Sequence, residues 1–250
     1  VRSGLEELFP DLFTKDSETH ATPVENAGPS TDRTAMLFSG GVDSTTTFHR
    51  HQDEDLTLIN IVQERDSELK RARQREYVST FSESMGVEST EIFTNAHSVL
   101  DVSILGLDFR RELARGWWNA IHYGIFYMAV CAPFTYANGI SSLYQGSSYT
   151  SNRDLPEAQP FVVESLRWTG TSGKICEVDM KRHEKIKVIA DFVATHDEVT
   201  ISSCYNRSIR KNCMDCEKCF RTALGAASVG VNPDSIGFEV TKETRENMKS

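Results

Sequence analysis

Positive charge is in short supply in this 250-residue chain, where 27 Lys and Arg face 36 Asp and Glu, for a formal net charge of −9 and a pI near 5.3. A broad nucleic-acid-binding face draws on clustered cations, so this balance speaks against nucleic acid as the main partner. The one basic concentration, Arg65, Lys70, Arg71, Arg73 and Arg75, is interleaved with acids at helical spacing and reads as a solvated helix face. No charged-then-apolar leader is visible after Val1, so a cytosolic location is expected. Gly116 to Asn152 contains no Asp, Glu, Lys or Arg. Pro133 and the Asn138-Gly139 turn interrupt that stretch, so a buried helix followed by a buried strand is expected and not a membrane span. The histidines show no metal spacing, since a helix would place His49 and His51 on different faces. No Ser-His-Asp order and no internal repeat can be read. Six cysteines without a visible secretion signal argue against a disulfide framework.

What is present begins with enough length, at 39% hydrophobic content, for one substantial core. Residues 1–33 mix Pro, Ser, Thr and acids without periodicity and read as an irregular lead-in, or as a tether to a partner subunit or a second copy. Residues 34–200 alternate short apolar runs with amphipathic stretches. Strands are expected at 35–38, 56–62, 88–93, 142–145 and 175–178, and helices at 44–51, 67–85, 117–136, 160–168 and 183–195. Strands alternating with helices predict an α/β architecture, a doubly wound and mainly parallel sheet with ligands at the carboxyl ends of its strands. Residues 201–250 form a C-terminal segment dominated by cysteine.

The first strand runs into Ser39-Gly40-Gly41-Val42-Asp43-Ser44-Thr45 and then a helix. Glycines let the backbone approach an anion, and the first amides of the helix offer free donors to it. Ser39, Ser44 and Thr45 add hydroxyls, and Asp43 can hold Mg²⁺ near the phosphates. The GxxxxGKS/T spacing of the Walker loop is missing, so this is not a kinase or GTPase loop of that type. The run resembles instead the signature of the PP-loop ATP pyrophosphatases, whose loop holds the pyrophosphate that leaves when the α-phosphate is attacked.

Cys204, Cys213, Cys216 and Cys219 have the spacing C-x8-C-x2-C-x2-C. Four thiolates so close in sequence can close a tetrahedral shell, for which Zn²⁺ is the first choice and an iron–sulfur cluster the competitor. Cys131 and Cys176 lie in apolar runs and are expected in the core.

The loop followed by this cysteine spacing resembles the 7-cyano-7-deazaguanine synthase (QueC) family of queuosine biosynthesis. The resemblance extends over Thr34 to Asn232 and includes the Ser203-Cys204-Tyr205-Asn206 run and the Arg221-Thr222-Ala223-Leu224 helix. It implies an adenine nucleotide alpha hydrolase-like PP-loop fold with a C-terminal zinc knuckle, and ATP, Mg²⁺ and Zn²⁺ as cofactors. It also implies a ligase reaction. A carboxylate on a small heteroaromatic substrate attacks the α-phosphorus of ATP, ammonia or an amine displaces AMP to give an amide, and a second activation gives the nitrile. The family's Gly-Arg-Asn helix start is replaced here by Arg115-Gly116-Trp117-Trp118-Asn119, and its acidic substrate loop by Tyr149 to Glu157. Arg115 and Asn119 are candidates to hold a carboxylate or phosphate, and Asp154 to read the substrate's N–H donors. Lys181, Arg182 and Lys185 open a helix and could reach ATP, with Lys181 placed first. The competing functions are tRNA thiolation within the same superfamily, a defence-system relative that modifies a protein or nucleic-acid partner, and a nucleotide-binding subunit of a larger complex.

Overall fold

The computed structural model describes residues 31–99, 101–108, 123–148, 160–196, 199–206 and 212–247. Among these residues six strands form one sheet: β1 (Thr34–Leu37), β2 (Leu56–Gln63), β3 (Glu88–Thr94), β4 (Ser142–Gly146), β5 (Arg167–Trp168) and β6 (Thr171–Cys176), in the order β3-β2-β1-β4-β6-β5. All pairings are parallel except β5 with β6, which closes a short hairpin at one edge. The expected doubly wound parallel sheet is therefore found. Successive strands step outward from β1 to β3, and β4 then returns to the other side of β1. The direction in which strands are added reverses between β1 and β4, which run parallel, and the crevice at their carboxyl ends is where such sheets take ligands.

Each strand sends alternate residues to opposite faces, and the sequence supplies apolar groups for both. Ala35, Ile59, Leu143 and Ile175 point to one face, under α5 (Tyr123–Ala137) and α6 (Pro160–Glu164). Met36, Leu58, Tyr144 and Cys176 point to the other, where α1 (Val42–His51), α2 (Glu68–Met85), α7 (Arg182–Val193) and α8 (Glu217–Ser228) pack. On this second face Phe38, Phe48 and Phe81 form a ring cluster with centroids 4.4 to 6.2 Å apart, each pair adding about 0.5–1.5 kcal/mol beyond area burial. Two short helices, α3 (Ala96–Val99) and α4 (Val102–Asp108), follow β3. After α8 come a 3-10 turn (Pro233–Ile236) and α9 (Lys242–Asn247).

Three expectations shift. The 160–168 helix ends at Glu164, because Thr169 and Gly170 adopt positive φ (41° and 90°) and make the tight turn joining β5 to β6. The strand expected at 175–178 starts earlier and stops at Cys176. The charge-poor stretch supplies α5 and then β4. Among the described residues no helix is long and apolar enough to cross a membrane. The C-terminal segment shares a core with the preceding residues, since Ile201, Cys219, Ala223, Ile236 and Phe238 pack in the same cluster as Met36 and Phe38. Residues 1–30, which are all but the last three of the expected lead-in at 1–33, lie outside the described residues.

Candidate functional site

Between β1 and α1 the chain turns at Gly40, whose φ of +71° is disfavoured for any residue with a Cβ. Space gives a second reason for glycine here: a Cβ on Gly40 would lie 2.0 Å from the ring of Tyr77, a side chain of α2. Gly41 caps α1 in an extended conformation (φ −80°, ψ 172°), and the first-turn amides of Val42, Asp43 and Ser44 have no helical carbonyl ahead of them. The Ser44 hydroxyl ties the turn together, donating to the Gly41 carbonyl at 3.3 Å and accepting from the Ser39 amide at 3.3 Å. Gly146, at the end of β4, lets the first turn of α1 rest directly on the strand, because a Cβ there would come within 2.8 Å of the Asp43 backbone.

This loop forms one end of a cavity of about 470 Å³, the size of small-ligand sites. Its further wall is partly apolar, with Ile59 and Ile61 of β2 and Tyr127 of α5, and partly amide, with Gln63, Gln74 and Gln145. The C-terminal segment closes it through Ser202, Ser203, Cys204 and Tyr205. The Gln145 Oε1 and Arg182 Nε atoms are buried without a hydrogen-bond partner among the described residues, and both side chains line the cavity. Unpaired buried polar atoms are costly unless a ligand or water satisfies them.

Asp43 is the electrostatic centre. Its Oδ1 lies 3.3 Å from Lys185 Nζ, and its Oδ2 accepts from the Ser148 hydroxyl at 3.0 Å and faces Arg182 at 3.9 Å. Lys185 is 2% exposed, and its ammonium also donates to the Ser147 carbonyl, so the charge is held by fixed partners and not by water. Burial lowers the pKa of Arg182 from its ordinary value, against the attraction of Asp43. Lys181, the cation placed first from the sequence, stands at the N-cap of α7. Its amide donates to Glu184 Oε2 at 2.6 Å and its side chain is exposed. Arg182 and Lys185 are three apart on one helix face and are the cations that reach the loop. Their i,i+3 spacing was the available signal. Tyr77, Ser148 and Ser202 gave none. Arg115, Asn119 and Asp154 lie outside the described residues.

The four cysteines of the knuckle come together. Cys204 and Cys216 sulfurs are 3.9 Å apart, Cys213 and Cys219 3.9 Å, and Cys216 and Cys219 3.5 Å. One ion bound at about 2.3 Å by four sulfurs would set its tetrahedral edges at about 3.8 Å, so the group can hold a single metal. Burial pushes the Cys213 thiol up to about 11. In Cys216 burial acts in the same direction, but amide donors at Tyr205 and Cys219 and the neighbouring thiols outweigh it and bring the group down to about 7. Cys131 and Cys176 are buried, and burial raises both to about 12, which fits inert core thiols in the absence of a metal.

No family model matches the chain, and no curated protein matches it. Among solved structures, it is similar to a U34-tRNA thiolase, NcsA, from Methanococcus maripaludis, determined with its 4Fe–4S cluster. That match has 12% identity and a TM-score of 0.46, covering 99% of this chain and 78% of that one. It is also similar to an NMN synthetase from Francisella tularensis, at 10% identity and a TM-score of 0.41, covering 87% of this chain and 82% of that one.

Proposed function

We propose that this chain is an ATP-dependent enzyme of the PP-loop type that activates an oxygen nucleophile by adenylation and releases pyrophosphate. The observation that carries the reading is the strand-turn-helix at 39–45, where a left-handed glycine, free helix amides and an Asp43–Lys185–Arg182 group with a buried lysine converge on one end of an open cavity. The amides and the serine hydroxyls receive the β- and γ-phosphates. Arg182, with its buried unpaired Nε, and Lys185 offset charge as it shifts onto the leaving pyrophosphate, and Ile59, Ile61 and Tyr127 offer an apolar surface for the base.

Asp43 fits a magnesium site, since a hard cation in such a place uses one or two carboxylates together with phosphate oxygens and water. When bound, Mg²⁺ would neutralise charge on the departing phosphates. The four-cysteine group fits Zn²⁺ better than a cubane cluster. A cubane spreads its irons over separate corners with one thiolate each, whereas sulfurs 3.5–3.9 Å apart suit a single shared ion. From the family resemblance, the acceptor class is a small heteroaromatic carboxylate and the product an amide or nitrile made with ammonia or an amine donor, as in 7-cyano-7-deazaguanine synthesis. Arg115, Asn119 and Asp154 remain the candidates to bind that acceptor, and Lys181 a candidate to assist at ATP.

The test is a pyrophosphate-release screen of the purified chain with Mg²⁺, ATP, ammonia and a carboxylate panel that includes 7-carboxy-7-deazaguanine. Release of pyrophosphate and AMP in equal amounts with one member is expected. ATP binding without release on any carboxylate would leave a nucleotide-binding subunit, and release stimulated only by tRNA with a sulfur donor would leave a thiolation enzyme.

A further inference from the structure

The sheet face that carries α1 holds a second group of ligating atoms, made of residues other than the four clustered cysteines. An imidazole nitrogen of His51, on α1, meets the Cys176 sulfur and a Glu177 carboxylate oxygen, all three atoms within 4.8 Å of one another. Local structure fixes each position. His51 is the last residue of α1, Cys176 ends β6, and Glu177 turns away from the strand with a φ of +55°, which carries its side chain back under the helix. The Glu177 carboxylate is 4% exposed, accepts from the Thr47 hydroxyl, and faces His51 Nε2 at 3.4 Å and Arg50 Nε at 3.7 Å.

The orientation of the imidazole is the informative detail. His51 Nδ1 lies 2.6 Å from Glu54 Oε1 and Nε2 faces Glu177 at 3.4 Å, so when Nε2 takes a cation the ring keeps its proton on Nδ1, held by Glu54. A carboxylate behind the far nitrogen is the usual support of a metal-binding histidine. Glu177 has a support of the same kind in Thr47.

We propose that His51 Nε2, Cys176 Sγ and Glu177 bind one divalent ion of the zinc class. A mixed thiolate, imidazole and carboxylate set disfavours Mg²⁺ and Ca²⁺, which take oxygen ligands, and matches Zn²⁺. Charge is balanced, because one thiolate, one carboxylate and one neutral imidazole cancel a dication and leave no net charge in a buried place. Binding forms the S–metal bond as the thiol proton leaves to solvent, and it displaces Arg50, whose side chain is 54% exposed and has room to swing out. Tetrahedral ligands at ordinary zinc distances stand about 3.3–3.6 Å apart, so the present spacing closes by about an ångström of side-chain rotation. Three protein ligands leave the fourth position to water.

The 250-residue chain, zinc-loaded and desalted, tests this by metal content and by cobalt spectroscopy. Wild type is expected to hold about one equivalent more than either H51Q or E177Q, with the knuckle's share kept in both variants. Co²⁺ added to wild type already carrying its knuckle metal should give tetrahedral d–d bands with a thiolate charge-transfer band, which H51Q loses. Equal metal in wild type and a folded H51Q would overturn the proposal. Should the variants fail to fold, absence of the cobalt bands from folded wild type overturns it without them.

Discussion

Replacing Gly40 with alanine separates two physical demands on the loop, and its neighbour supplies the control. At a φ of +71° an alanine costs about 1–2 kcal/mol relative to glycine. The new methyl would also start 2.0 Å from the Tyr77 ring, so loop and ring must part by more than an ångström, an overpacking cost of about 1–3 kcal/mol. Together these give about 2–5 kcal/mol, or a fall in Tm on the order of 10 °C for a chain of this size. Gly41→Ala meets only ordinary contacts, 3.5 Å from Ser39 Oγ and 3.8 Å from the Ser202 carbonyl oxygen, at a φ of −80°, and should stay within about 1 kcal/mol of wild type. Tyr77 cannot simply retreat, because its hydroxyl is hydrogen-bonded to the Thr200 carbonyl. The loop is expected to move, and a misplacement of about an ångström is enough to cost roughly 100-fold in a positioned reaction. Thermal melts of both variants, ATP titration calorimetry and pyrophosphate release measure the three consequences. If Gly40→Ala melts with Gly41→Ala and binds ATP as wild type does, the turn is not the rigid cradle described above.

Asp43→Ala should abolish pyrophosphate release while the fold survives in circular dichroism; equal turnover would remove Asp43 from the reaction. Lys185→Met should lower stability by about 1–3 kcal/mol, since Asp43 loses its closest buried partner, and should cut pyrophosphate release far more than Lys181→Met does. Matching losses in the two variants would contradict the placement of Lys185 against Asp43. Cys216→Ser should lower bound metal and solubility, and unchanged metal stoichiometry would contradict the four-thiolate site. Acidity provides a separate check through His97, whose pKa is lowered by burial and by nearby Arg65. The unfolded chain takes up a proton near pH 6.5 that native His97 resists, so stability is full above about that pH and falls on acidification. Urea melts from pH 7.5 to 5.5 should show a shallower loss in His97→Gln, and parallel curves would refute the assignment.

Much of this was legible in the residues because local rules governed it. The Ser39–Thr45 run announced a strand-turn-helix, the helical run at 67–85 announced α2, which the structure caps with Ser67 and ends at Gly86, and alternating apolar runs announced a sheet covered on both faces. The cysteine spacing likewise announced a group that the structure brings within metal-binding distance. What stayed hidden was decided by tertiary packing. Lys181, Arg182 and Lys185 look alike in sequence, and only the angle at which α7 meets α1 chooses the last two for Asp43 and leaves the first at the cap. The Arg167–Thr171 hairpin was masked by the helical look of 160–168, although Thr169-Gly170 was its available signal. Tyr77 beneath Gly40 joins residues from separate elements and had no signal at all.

The Ser202 amide donates to the Gly40 carbonyl at 2.8 Å, and Thr200 receives the Tyr77 hydroxyl. A turn made early in translation is thus braced by a stretch that emerges from the ribosome some 160 residues later, as read from the numbering of Gly40 and Thr200. The nascent chain can form its first strands and helices, but the loop at Gly40 acquires its full set of braces only once the cysteine-bearing end has docked.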